Sequence, residues 1–159
     1  MYLLDANVFI DAKNRYFAFD IVPAFWDWLV AQHQAGKAFT VQAVYDEIIG
    51  GGDDLAAWMK SQPASFRLTP TAADSASLAR VSTWALTYGF KAAAVSEFLQ
   101  SADYFIVAQA LTLGHTVVTH ETPDPAAKKR VKIPDACVAV GVAWVSPFKW
   151  LRSEGAKFA

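Results

Sequence analysis

The first twelve residues, MYLLDANVFIDA, open with an apolar run that ends at Asp5. This pattern predicts a buried first strand ending at Asp5 and a helical turn beginning near Asn7, so the acid falls at the carboxyl end of a strand. From Ile21 to Gln34 the apolar residues Ile21, Phe25, Trp28, Leu29 and Ala31 recur at helical spacing, with Pro23 suited to a first turn and Gly36 to a stop. KAFTV reads as a second strand. Val41, Val44, Tyr45, Ile48 and Ile49 then follow the i, i+3, i+4, i+7, i+8 pattern up to Gly50–Gly52, which places Glu47 on a helix.

Further along, the spacing predicts a helix over Asp53–Ser61, a third strand in SFRLT and a long helix from Thr71 to Tyr88 stopped by Gly89. Ser101 is an expected N-cap for a helix whose Ile106, Val107, Ala110 and Leu111 face inward and which Gly114 ends. HTVVTH supplies a strand, Val140–Val145 another, and a short helix closes the chain. Strands alternating with helices imply an α/β fold: a three-layer α/β/α sandwich around a parallel sheet of about four or five strands. Ligands in such folds bind beyond the carboxyl ends of the strands, the edge to which Asp5 and Glu121 both map.

Composition narrows the function classes. The 159 residues are 54% apolar, enough to fill one core, and residues 1–159 are expected to form a single domain. Fourteen Lys and Arg against fifteen Asp and Glu give a net charge of -1, so any nucleic-acid contact must use a local basic patch. The longest strongly apolar stretch, Ala136–Val145, is well short of the roughly 20 residues needed to cross a bilayer, and no signal-like segment opens the chain; a cytoplasmic protein without a membrane partner is expected. A lone cysteine, Cys137, excludes an internal disulfide and a multi-cysteine metal site, and reads as a small buried hydrophobe. His33, His115 and His120 lack zincin spacing.

Four carboxylates stand out by placement: Asp5 after the first strand, Glu47 within a helix, Asp103 in the first turn of another, and Glu121 just after VVTH. Singly, each has an ordinary structural explanation, as an N-cap, a dipole-matching acid, a solvated acid or a loop residue. Brought together above one sheet edge, they would repel one another unless a hard divalent cation neutralised them.

In their order and placement these residues resemble the PIN-domain family, specifically the small bacterial ribonucleases similar to VapC toxins, through MYLLDANVFIDA, VYDEI, SADYFIVAQAL and VVTHE. The resemblance spans nearly the whole chain and is nearest to a PIN-like subgroup also marked by NRYFAFDIVPAFWDWL and KIPDAC. It implies a Mg2+- or Mn2+-dependent endoribonuclease acting as the toxin of a toxin-antitoxin pair, with an RNA substrate, an antitoxin partner and a possible homodimer. Matched by motif position, the catalytic acids are Asp5, Glu47, Asp103 and Glu121. Of these, Asp5, Asp103 and Glu121 would hold metal, while Glu47 would ligate or position water. Two departures stand out: Ala6 replaces the family's Thr or Ser, and Glu121 replaces its commoner Asp.

Asp135 in KIPDAC either joins the acidic edge or caps the following helix, and Asn7 either orients a ligand beside Asp5 or serves a tight turn. Lys128, Lys129, Arg130 and Lys132 form the sharpest basic run, a candidate RNA contact or a solvated loop. The aromatic segment FAFDIVPAFWDWL suggests a partner surface, and among the six tryptophans some could stack bases although most are expected in the core. Two rival functions remain: a phosphatase or phosphotransferase with Asp5 as nucleophile, and a non-catalytic, degenerate PIN-like binding module motivated by Ala6.

Overall fold

Period-two and buried apolar runs produce five short strands, β1 (Tyr2–Leu4), β2 (Ala38–Val41), β3 (Arg67–Leu68), β4 (Thr116–Val118) and β5 (Trp144–Val145), in a computed structural model describing residues 1–159. All pairings are parallel and the strand order is β3-β2-β1-β4-β5. Leu3, Leu4, Val117 and Val118 are fully buried, as a sheet covered on both faces requires. The chain leaves β1 toward β2 on one side and β4 lies on the other, so the order reverses at β1. A crevice opens there, beyond the carboxyl ends of β1 and β4.

Nine α-helices connect and cover the sheet: α1 (Ala6–Asp11), α2 (Pro23–Gln34), α3 (Gln42–Ile49), α4 (Asp54–Ser61), α5 (Ser75–Thr87), α6 (Ala92–Leu99), α7 (Ala102–Leu113), α8 (Ile133–Val140) and α9 (Pro147–Ser153). This is the expected α/β sandwich, with the parallel sheet at its centre. Helix α7 packs against α3, α5, α6 and α8 as well as β2 and β4, and Ile106, Val107, Ala108 and Ala110 are all fully buried. Helix α1 continues as a π-helical turn, Ala12–Tyr16. No helix is long and apolar enough to cross a membrane.

Several elements differ from expectation. Helix α2 begins at Pro23, leaving Ile21 in the preceding turn with 76% of its surface exposed. The segment from Thr71 starts with a 3-10 turn before α5, and Asp74 closes a capping box with Thr71. Ser101 stands at the N-cap of α7, but its hydroxyl donates to the Phe98 carbonyl instead of accepting from the helix. Helix α6 is an addition: Ala94, Val95 and Phe98 form its buried stripe between Gly89 and Ser101. The aromatic segment expected to face a partner is largely inward, with Phe25 and Trp26 buried and Phe17 stacked on Phe25 at 4.5 Å.

The expected strand over Val140–Val145 is instead the end of α8, a turn and a two-residue strand. Gly141 is the cause. It has φ 78°, the left-handed conformation that closes a helix, and its N–H bonds the Val138 carbonyl. An added Cβ at Gly141 would meet no atom within 4 Å, so a side chain there is penalised by backbone conformation alone. Gly141→Ala should therefore cost about 1–2 kcal/mol in urea unfolding with an unchanged m-value, and Gly141→Asn should cost less. An undiminished stability in Gly141→Ala would refute the left-handed cap.

Candidate active site

Strand β1 delivers Asp5 to the crevice, and the Asp5 N–H bonds the Val118 carbonyl at 3.0 Å, locking it to the end of β4. The side chain is only 3% exposed. Its Oδ1 accepts from the Ala6 N–H at 2.7 Å, capping α1, and its Oδ2 accepts from the Thr119 hydroxyl at 2.9 Å. Thr119 in turn accepts from Asn7 Nδ2 at 3.2 Å and from the Glu121 N–H at 3.1 Å. Both Thr119 lone pairs face donors that carry no alternative acceptor, so its single proton must point at Asp5. Asn7 completes the set by accepting from the His120 N–H at 3.0 Å. With Ala at position 6, the hydroxyl beside Asp5 is that of Thr119, the residue after β4.

Asp103 lies in the first turn of α7, where the helix N-terminus favours negative charge. It lines an open cleft of about 570 Å3 together with Glu47 and Asp46 from α3, Glu97 from α6, and Arg130. That volume is within the range that accepts a small ligand or part of a larger one. Burial is the main cause that pushes the Asp5 carboxyl up to about 8, followed by the Asp103 charge and, more weakly, that of Glu121; the Thr119 and Ala6 hydrogen bonds oppose the rise. Asp103 is raised to about 7, again chiefly by burial, then by Glu121 and Glu47, with Arg130 pulling downward. Glu47 is an exposed residue whose carboxyl is raised by partial desolvation. The four sequence-selected acids therefore meet in one electrostatic neighbourhood.

Glu121 is engaged on both oxygens. Oε1 accepts from Arg130 Nη2 at 2.8 Å, and Oε2 accepts from the Ile133 N–H at 2.7 Å, the first backbone donor of α8. The longer Glu side chain reaches both partners, which gives its replacement of Asp a local reason. Asp135 accepts from the Asp124 N–H at 2.9 Å and so fastens the loop before α8. Within the basic run only Arg130 enters the cleft. Lys128 lies 4.6 Å from the centre of the Tyr88 ring, Lys129 is exposed, and Lys132 precedes α8 half-buried. Cys137 is buried, its thiol pushed up to about 12, mainly by burial and then by Asp5 and Glu121, which disqualifies it as a nucleophile at neutral pH.

These donors fit a hard divalent cation in kind: carboxylate oxygens, two of them paying desolvation and mutual repulsion that a cation would relieve. No three His, Cys, Asp or Glu side chains stand close enough to close a metal cage in this conformation, and Glu121 is turned to Arg130. Magnesium commonly uses one or two carboxylates and keeps several waters, a demand that Asp5 and Asp103 would match in donor type. Two participants escaped the sequence reading. Glu97 rides on the helix that was not foreseen, and Thr119 looked like an ordinary strand residue although it directly precedes His120 and Glu121 at the strand end.

Because both acids have folded-state pKa values above their unfolded values, the cation-free fold is favoured at low pH, and that advantage is lost as pH rises through about 7 and 8. In EDTA, stability should fall between pH 5 and 8, each acid contributing a slope of up to about 1.4 kcal/mol per pH unit. Asp5→Asn should flatten that fall in thermal unfolding; an identical pH profile would refute the assignment. Arg130→Gln should free Glu121 and tighten Mn2+ binding by about two- to five-fold in calorimetry, the scale of an ion pair with an exposed partner. Unchanged or weaker binding would show that Arg130 does not compete for this acid.

Comparison with known proteins agrees with the architecture. The structure of FitAB bound to an IR36 DNA fragment is similar with a TM-score of 0.58 and 22% identity, covering 93% of this chain and 96% of that one. The crystal structure of FitAcB from Neisseria gonorrhoeae is similar with a TM-score of 0.59 and 22% identity, covering 93% and 99%. At that identity the likeness concerns the fold. No curated protein matches the chain. A family model described as a domain of unknown function, DUF4411, matches residues 2–158, and the chain belongs to that family.

Proposed function

We propose that this protein is a PIN-like endoribonuclease dependent on Mg2+ or Mn2+. The observation that carries this reading is the gathering of acids where the strand order reverses: buried Asp5 is raised by its burial and by Asp103, and Asp103 by its burial and by Glu121 and Glu47. Asp5 and Asp103 would hold the cation, with Glu121 joining once released from Arg130. A bound divalent ion would acidify a water and stabilise charge on the phosphodiester. Thr119 and Asn7 hold Asp5 in a fixed rotamer, and Glu47, at the rim, orients the attacking water and accepts its proton. Arg130, mostly exposed and already at the cleft, offers a planar donor pair to a phosphate.

The rival readings fare less well. A phosphotransferase with Asp5 as nucleophile lacks the second acid two residues on, because position 7 is Asn7. A non-catalytic, degenerate module is motivated by Ala6, and the hydroxyl that Thr119 offers Asp5 favours the catalytic reading over it. The resemblance to VapC-like toxins makes an antitoxin the proposed partner and the cytoplasm the proposed location. One of the similar solved structures has FitAB on DNA, in keeping with a fold that works beside nucleic acid.

The test is cleavage of a panel of labelled RNAs and DNAs in EDTA, Mg2+ or Mn2+ by wild type, Asp5→Asn and Asp103→Asn. The expected result is RNA cleavage that requires the cation and falls by about 100-fold or more in either variant, the loss of a few kcal/mol of transition-state stabilisation. Equal activity in all three proteins would mark a contaminant and move the reading to a non-catalytic module.

A further inference from the structure

Arg130 is bonded to one acid and shares a cavity with another. Its Nη2 donates to Glu121 Oε1 at 2.8 Å, yet its side chain stays 62% exposed, so the pair is open to solvent and to exchange. Glu97, from α6, lies across a small cavity of about 60 Å3, space for a few waters, and Asp103 is the only other charged group in its wall. Glu97 is exposed and belongs to no salt bridge. Both residues act on the Asp103 carboxyl, Glu97 raising it and Arg130 lowering it. An unpaired acid beside an exposed guanidinium is a vacant partner for it.

The backbone fixes the span between these two side chains. The Lys91 N–H donates to the Lys128 carbonyl at 2.9 Å, which ties the start of α6 to the loop that carries Arg130. The Lys128 ammonium sits 4.6 Å from the Tyr88 ring centre, and the Tyr88 hydroxyl donates to the Pro125 carbonyl at 3.2 Å, so the loop is held at two more points. From the Lys91 tie, Glu97 lies about 9 Å along the helix and Arg130 at most about 7 Å along the chain. Val131 and Ile133 are buried on the far side of Arg130. Its backbone is therefore clamped, and a change of partner needs only rotation about side-chain bonds. Asp46 and Glu47 line the wider cleft with Arg130, but neither borders the small cavity. We infer that Glu97 is the second seat of the Arg130 guanidinium and takes it over when Glu121 turns to a cation. This inference rests on the ribonuclease reading and adds a positioning residue to it. Arg130 then stays at the cleft wall, and a guanidinium carries enough N–H donors to hold Glu97 and still meet a phosphate.

The experiment has a metal-free arm and a metal-binding arm, both on the full chain. In EDTA, NMR follows solvent exchange of the Arg130 guanidinium N–H groups in wild type, Glu97→Gln, Glu121→Gln and the double variant, each checked for an unchanged circular dichroism spectrum. Glu121→Asp serves as a second way to release Arg130. Glu97→Gln alone should leave the exchange unchanged, because Arg130 then rests on Glu121. With Glu121→Gln in place, adding Glu97→Gln should speed it by about two- to five-fold, the worth of an exposed ion pair. In calorimetry with Mn2+, Glu97→Gln should weaken binding by about two- to five-fold more when Arg130 is present than in Arg130→Gln. Exchange in folded Glu121→Gln that does not respond to Glu97→Gln would overturn the second seat while leaving the nuclease reading intact. An equal loss of Mn2+ affinity with and without Arg130, the mark of Glu97 acting as a bare charge, would overturn it too. A wild type that binds no Mn2+ would remove the nuclease reading and this role with it.

Discussion

The Thr119 hydroxyl has one proton and two lone pairs, and all three are committed: the proton to Asp5, the lone pairs to Asn7 and the Glu121 N–H. The arrangement depends on β1 and β4 being neighbours, with Leu4 opposite Val118, because only then does the residue after one strand face the residue after the other. Register and chemistry are therefore one constraint. A one-residue slip would turn every side chain of the strand to the opposite face and leave Asp5 buried without this donor. An ionised carboxylate in that state would be strongly destabilising, so the sheet and the acid support each other.

Electrostatics opposes what packing imposes. Burial and neighbouring acids both disfavour charge on Asp5 and Asp103, and the chain relieves only part of that conflict internally. Arg130 is the internal relief: it pairs with Glu121 and lowers the Asp103 carboxyl, yet it is exposed and sits on a loop rather than on a rigid element. An exposed ion pair is worth little, so it can be exchanged at small cost when a stronger cation or a phosphate arrives. A buried guanidinium would have made a worse site, because releasing it would leave uncompensated charges in the core.

The parts legible in the sequence are those governed by local pattern. Asp5 at a strand end, Glu47 on a helix, Asp103 in a first turn and Glu121 after a strand are placed by periodicity and punctuation, whereas choosing these four acids rests on the family resemblance; the parallel sheet follows from alternating elements. The strand expected over Val140–Val145 is broken at Gly141, where an apolar run on either side hides a left-handed turn that only backbone geometry reveals. Helix α6 was overlooked because its alanines mark a stripe weakly, and Glu97 was lost with it. Thr119 could not be ranked from sequence at all: its importance lies in partners 112 and 114 positions away.

The departures at positions 6 and 121 are best understood together. With Ala6 packed at the start of α1, the hydroxyl donor to Asp5 is Thr119 just after β4, and the same hydroxyl accepts from the Glu121 N–H, fixing where that side chain begins. From there a glutamate spans to the first N–H of α8 and to Arg130, placing a negative charge at a helix N-terminus where it is stabilised. The cluster is therefore anchored at three points, at the start of α1, the end of β4 and the start of α8, none of which depends on a bound ion. Such anchoring lets the fold form with its acids in one neighbourhood, so a cation that recruited Glu121 would have to draw it away from Arg130 and from the Ile133 N–H.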